Sequence, residues 1–149
     1  MSAWPTAAFG RWDIAMATVR SRPVVVVLND SETFLELMQD LLEREQGYAV
    51  QIGRKADEGV DLVKATQPDL VLLDIMFARE ELGWTILEDL KRDPETAAIP
   101  VVVCSAATPS LRAHHDLLAK CQVPWVLKPF DLDQLLDTVE VALGNVAAV

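Results

Sequence analysis

The chain has 149 residues, of which 51% are hydrophobic, and a formal net charge of -10. That composition rules out disorder as a description of the whole, and the length suits one domain with a sizeable core. No apolar run approaches the ~20 residues that cross a bilayer, and the acidic surplus argues against direct binding of DNA or RNA, whose phosphates call for clusters of Lys and Arg.

Residues 1–22 scatter Trp4, Pro5, Phe9, Gly10 and Trp12 among small residues without a clear period. They carry no apolar core of signal-peptide length and read as a loosely ordered extension. From Pro23 the pattern becomes regular. Val24-Val25-Val26-Val27-Leu28 is an unbroken β-branched run, as expected of a strand buried on both faces of a parallel sheet. Phe34, Leu35, Leu37, Met38, Leu41 and Leu42 recur at helical spacing up to Gly47, and Tyr48 to Ile52 alternates as a second strand. Ala56 to Thr66 predicts a helix with Val60 and Val63 inward, closed by Pro68. Leu70 to Leu73 is a third strand, Trp84 to Lys91 a helix, Pro100 to Val103 a fourth strand, and Leu111 to Lys120 a helix. Trp125-Val126-Leu127 is a fifth strand. The last helix runs from Leu132 to Leu143, with Asp131 as its N-cap, Gly144 as its stop and Leu135, Leu136 and Val139 as core residues. The expected organisation is thus an extension (1–22), one domain (23–144) and a short tail (145–149).

Five strands alternating with five helices imply an α/β sheet built by right-handed crossovers, with ligands bound beyond the carboxyl ends of the strands. Those ends present Asn29 and Asp30, Asp74, Ser105 and Lys128, each next to an apolar run, so all five are expected on one rim. Two carboxylates and an amide beside a lysine suit Mg²⁺, which retains waters and takes one or two protein carboxylates. A carboxylate beside such a cation can attack phosphorus to form an acyl phosphate, while the ammonium offsets phosphoryl charge and a hydroxyl such as that of Ser105 hydrogen-bonds the added group. Asp30 is also placed to cap the helix that begins near Thr33. Cys104 and Cys121 lack metal or redox spacing and read as buried small hydrophobes of a reducing cytoplasm, while His114 and His115 read as ordinary surface residues.

Val27-Leu28-Asn29-Asp30-Ser31, Pro68 to Met76, Ile99 to Ala106 and Val126-Leu127-Lys128-Pro129-Phe130 together resemble the receiver domains of bacterial two-component response regulators. The resemblance runs from about Pro23 to Leu143. It implies a flavodoxin-like, doubly wound five-stranded parallel sheet of strand order 2-1-3-4-5. It further implies phosphotransfer from a sensor histidine kinase or phosphotransferase partner, with the signal passed to a downstream protein. By position Asp74 matches the phosphoacceptor, and Asp30 and the Met76 backbone carbonyl match the other Mg²⁺ ligands. Lys128 matches the phosphate-pairing lysine, whose bond to the next proline is cis in the family, and Ser105 and Trp125 match the switch pair.

The chain departs from the family in four places. Asn29 takes the first place of the usual acidic pair, which often holds the metal through a water. Ala78 stands where a proline is common, and the following loop reaches Gly83 about one residue late. Trp125 is bulkier than the usual Tyr or Phe. Met76 and Ala107 occupy positions that tune acyl-phosphate lifetime, and neither side chain can orient an attacking water.

The expected function is that of a stand-alone phosphoacceptor receiver, monomeric or weakly dimeric, which is no enzyme beyond slow self-dephosphorylation. A degenerate receiver that acts by phosphorylation-independent contact is the alternative. A haloacid-dehalogenase-type phosphatase is disfavoured because that chemistry uses a second acid at the position held by Met76. Substituting Met76→Asn is expected to shorten the acyl-phosphate lifetime in Mg²⁺; an unchanged decay rate would remove this account of slow hydrolysis.

Overall fold

The structure is a computed structural model, in which residues 22–106, 108–129 and 131–144 are described. The expected extension up to position 21, the tail from 145, Ala107 and Phe130 lie outside the described residues. Strands β1 (Val24–Leu28), β2 (Ala49–Gly53), β3 (Leu70–Asp74), β4 (Val101–Ser105) and β5 (Trp125–Leu127) form one parallel sheet in the order β2-β1-β3-β4-β5. Stiff β-branched and leucine side chains fill β1, β3 and β4, and these strands are buried almost throughout because helices cover both faces.

Alternation along each strand divides the core into two layers. Val25 and Val27 pack with Leu35, Met38 and Leu42 of α1 (Glu32–Asp40, continued by a wider turn over Leu41–Glu45) and with Leu135 and Val139 of α6 (Leu132–Ala142). Val26 and Leu28 pack on the other face with Val63 of α2 (Gly59–Thr66), which a 3-10 turn at Ala56–Glu58 introduces, and with Trp84, Ile86, Leu87 and Leu90 of α3 (Gly83–Arg92). Leu111 of α4 (Thr108–Ala113) and Leu118 of α5 (His115–Lys120) complete that layer. As the sequence suggests, Leu135 and Val139 are core residues, with Leu136 at the margin of the layer. Asp131 caps α6 by accepting from Asp133 N–H at 2.9 Å, and Gly144 ends it at φ 82°.

Three local expectations are corrected. Six α-helices rather than five are present among the described residues, because the helix expected over Leu111–Lys120 is interrupted at His114 (φ -108°, ψ 15°). There the imidazole stacks on the Trp84 ring, with centroids 3.9 Å apart and planes at 8°, and its Nδ1 lies 2.9 Å from the Ser110 carbonyl. Trp84 Nε1–H in turn donates to Ser110 Oγ at 2.5 Å. Tertiary stacking therefore displaces helical geometry, and His114 is a partly buried packing residue while His115 stays exposed. The cap of α1 is Ser31, whose Oγ accepts from Phe34 N–H at 3.3 Å, and not Asp30.

β1 leads into α1 on one face and β3 leads towards α3 on the other, so the central pair of strands is the switch point at which a crevice opens beyond the sheet. Gly83 brings α3 close to that crevice. Its N–H donates to Ile75 O at 2.8 Å, and a Cβ there would lie 2.4 Å from Ile75 Cα and 2.6 Å from Asp74 O. Backbone cannot yield as a flexible side chain does. Gly83→Ala is therefore expected to lower the unfolding free energy by about 2 kcal/mol, measured by urea denaturation; a change below ~0.5 kcal/mol would show that α3 has room to move.

Candidate functional site

Parallel pairing sets Leu28 opposite Leu73, and the ladder continues with Asn29 N–H donating to Gly53 O at 3.1 Å. The next residues along, Asn29 and Asp74, therefore sit side by side on strands ~4.8 Å apart. Asp74 ends β3 and is 7% exposed. Both of its carboxylate oxygens are engaged: Oδ2 lies 3.0 Å from Lys128 Nζ, and Oδ1 accepts from Met76 N–H at 3.2 Å.

Lys128 reaches Asp74 because its own N–H donates to Ser105 O at 3.0 Å, extending the β4–β5 ladder one residue past Leu127. Its peptide bond to Pro129 is cis. The ammonium also lies 4.8 Å from the centroid of the Phe34 ring on α1, within the range of a cation–π contact. With its side chain only 27% exposed, the lysine is screened less than a surface partner, and the buried Asp74 charge depends on it.

Asp30 is exposed, and its Oδ2 accepts from the Ala78 backbone N–H on the loop that follows β3. Asn29 is buried; its Oδ1 accepts from Ser31 N–H at 2.8 Å, and its Nδ2 makes no hydrogen bond among the described residues. A buried donor without a partner, set beside carboxylates, favours an oxygen atom as its neighbour.

Ser105 ends β4 one residue beyond Cys104, the register partner of Asp74, and is fully buried. The Cys104 thiol is pushed up to about 12, chiefly by burial, so it stays protonated and is no competing nucleophile. Trp125 opens β5 opposite Val103 and is 45% exposed. Met76 stands two residues after Asp74, to which its N–H donates, and is partly buried.

The loop after β3 closes on itself. Phe77 and Glu80 exchange backbone hydrogen bonds of 2.8 Å in both directions, around Ala78 (φ 50°) and Arg79 (φ 67°). This is a two-residue hairpin turn with both central residues left-handed, a conformation that suits Asn-Gly and costs ~1 kcal/mol for each ordinary residue. Phe77 anchors the turn in the core, while Arg79, Glu80 and Glu81 are exposed.

Asp30, Asp74, Asn29, Ser105 and Lys128 are thus gathered at one rim as the sequence suggests, with Met76 beside them. Two carboxylates, nearby backbone and an unpaired amide donor form a set that fits a hard cation keeping several waters. Among the described residues no group of three or more His, Cys, Asp and Glu side chains is placed to hold a metal ion, so the two carboxylates would act together with backbone and water. Two participants were not foreseen. Phe34 was legible only as an apolar position on a helix, and Ala78 contributes through its backbone, on which its side chain is silent.

Lys128→Met is expected to destabilise the fold by about 1–3 kcal/mol in denaturant titrations, because it strips a buried carboxylate of its partner. Adding Asp74→Asn is expected to recover most of that loss, and strictly additive effects would mean the two groups are uncoupled.

Comparison with known proteins gives a consistent result. A family model described as the response regulator receiver domain matches residues 25–140. The polar-differentiation response regulator DivK of Brucella anthropi is 29% identical over 121 residues, covering 81% of this chain and 96% of that protein. The N-terminal domain of a response regulator receiver protein from Methanoculleus marisnigri superposes with a TM-score of 0.60 at 31% identity, covering 80% of this chain and 95% of that one. The receiver domain of a sensor histidine kinase from Pseudomonas aeruginosa, with a magnesium ion coordinated in its active-site cleft, shares the fold. Its TM-score is 0.69 at 15% identity, covering 83% of this chain and 99% of that one.

Proposed function

Since the chain belongs to the response regulator receiver domain family of two-component signalling, we propose that Asp74 accepts a phosphoryl group from a sensor histidine kinase or phosphotransferase. The observation that carries this reading is the contact of Lys128 Nζ with Asp74 Oδ2 at 3.0 Å, at the switch point of the sheet and beside Asp30 and Asn29. In the transfer, an Asp74 carboxylate oxygen forms a bond to phosphorus as the bond from phosphorus to the donor histidine nitrogen breaks, and that nitrogen keeps the electron pair. Asp30, Asp74 and the Met76 carbonyl would hold Mg²⁺, and Asn29 would contribute through a water. The cation, when bound, neutralises the phosphoryl oxygens and lessens repulsion between carboxylate and donor.

Lys128 is already poised on the accepting carboxylate, so it needs only a small shift to pair with a phosphoryl oxygen. Ser105, buried at the end of β4, supplies the hydroxyl that follows the new charge, and Trp125 is the aromatic partner that reports its movement on the exposed face of β5. A downstream protein in the cytoplasm reads that face. No described helix is long and apolar enough to cross a membrane.

One feature favours the degenerate reading, in which contact is constitutive: the amide at Asn29 leaves the site one carboxylate short of the usual acidic pair. The two readings separate in one assay. Incubation with acetyl phosphate and Mg²⁺ is expected to add the mass of one phosphoryl group to the wild-type chain and none to Asp74→Asn. A wild type that stays unmodified under saturating donor would leave the constitutive reading in place.

A further inference from the structure

Asp30 has the least support of the site carboxylates. It lies past the end of β1 and is exposed, so the sheet does not fix its side chain. Its neighbour Asn29 adds no charge to help hold a cation. What does fix Asp30 is the Ala78 N–H, presented by a turn in which Ala78 and Arg79 both adopt positive φ. No glycine or asparagine eases the turn. It is held by the paired hydrogen bonds of Phe77 with Glu80, by burial of the Phe77 ring, and by the carboxylate itself.

We infer that the Ala78–Arg79 turn is a positioning element for Asp30: its backbone amide occupies Oδ2 and leaves Oδ1 to a divalent cation. This rests on the reading of Asp30 as a metal ligand. Carboxylates that bind metals are themselves oriented by hydrogen bonds, and loss of such a bond typically weakens metal affinity ~10–100-fold. The extra loop residue and the missing proline then form one device, which restores by orientation part of the affinity that Asn29 forgoes. The amide keeps its role whatever the side chains of the turn, so long as both central residues remain left-handed.

The test uses the full-length, unphosphorylated chain and Mn²⁺ alone, with free Mn²⁺ followed by electron paramagnetic resonance and thermal unfolding measured in parallel. Replacing Ala78 by lactic acid exchanges its N–H for an ester oxygen and keeps the methyl side chain; it also weakens the Phe77 carbonyl as acceptor of Glu80 N–H, and thermal unfolding reads that effect separately. That variant is expected to bind Mn²⁺ about tenfold more weakly. Combining Ala78→Asn with Arg79→Gly preserves the amide in a turn of the same type. It is expected to hold the wild-type affinity within about twofold and to melt at a higher temperature.

Asp30→Ala serves as the reference. Should it weaken Mn²⁺ binding while the ester does not, the positioning role is wrong and the metal reading stands. Should the ester tighten binding, the amide competes with the cation and the proposal is overturned in sign. An Asp30→Ala chain with unaltered affinity would overturn both readings. If the ester variant fails to fold, the Asn-Gly pair still decides: a loss of affinity in that well-formed turn is incompatible with positioning by the backbone.

Discussion

β1 and β3 pair in parallel at the centre of the sheet with Leu28 opposite Leu73, and each strand then sends the chain to a different face. Everything chemical in the molecule follows from that reversal. Residues that leave two adjacent strands in opposite directions cannot fill the space between them, so the rim above β1 and β3 stays open. Asn29 and Asp74 border that opening because they are the first residues beyond the register pair. The core enforces the arrangement: a slip of β1 by one residue would exchange Val25 and Val27 with Val26 and Leu28 between two layers of different shape.

Within this frame the site is held by charge as much as by packing. Asp74 is buried deeply enough to need a counter-charge, and Lys128 supplies it from the far side of β4. The ammonium is also steadied by the Phe34 ring, so α1, β3 and β5 meet at one nitrogen atom. A change of charge at Asp74 is therefore felt at once by two elements remote from it in sequence. The residue that carries the ammonium is itself tied to the end of β4 through backbone, since Lys128 N–H is bonded to Ser105 O. The thiol beneath takes no part, because burial keeps Cys104 protonated.

The side of the crevice formed by the loop after β3 is built differently. Gly83 lets α3 approach the backbone of Asp74 and Ile75, and the preceding hairpin turns back on itself in a conformation that its residues do not favour. Such strain persists only where surrounding structure over-determines it, and here that structure includes a site carboxylate. The second stacked layer, in which His114 lies on Trp84 and Trp84 bonds Ser110, fixes the junction of α4 with α5.

Most of the architecture was legible because its signals are local. Unbroken apolar runs at Val24–Leu28 and Leu70–Leu73 specify buried strands, and helical spacing from Phe34 to Leu42 specifies a covering helix, so the polar residue ending each run had to lie on one rim. That is why Asp74, Asp30, Ser105 and Lys128 are legible as a set in the sequence. The features that escaped depend on contacts between distant residues or on backbone alone. His114 looked like a surface residue because its partner Trp84 lies thirty positions away. Phe34 looked like an ordinary core position because nothing local announces an ammonium over its ring. Ala78 offers only an N–H, which every residue but proline carries, presented by a turn whose positive φ at Ala78 and Arg79 neither residue type favours. The sequence by itself determined which strands form, their buried character and the chemical kind of the site; the tertiary structure alone decided which oxygen meets which donor, because those choices rest on the meeting of separate elements in space.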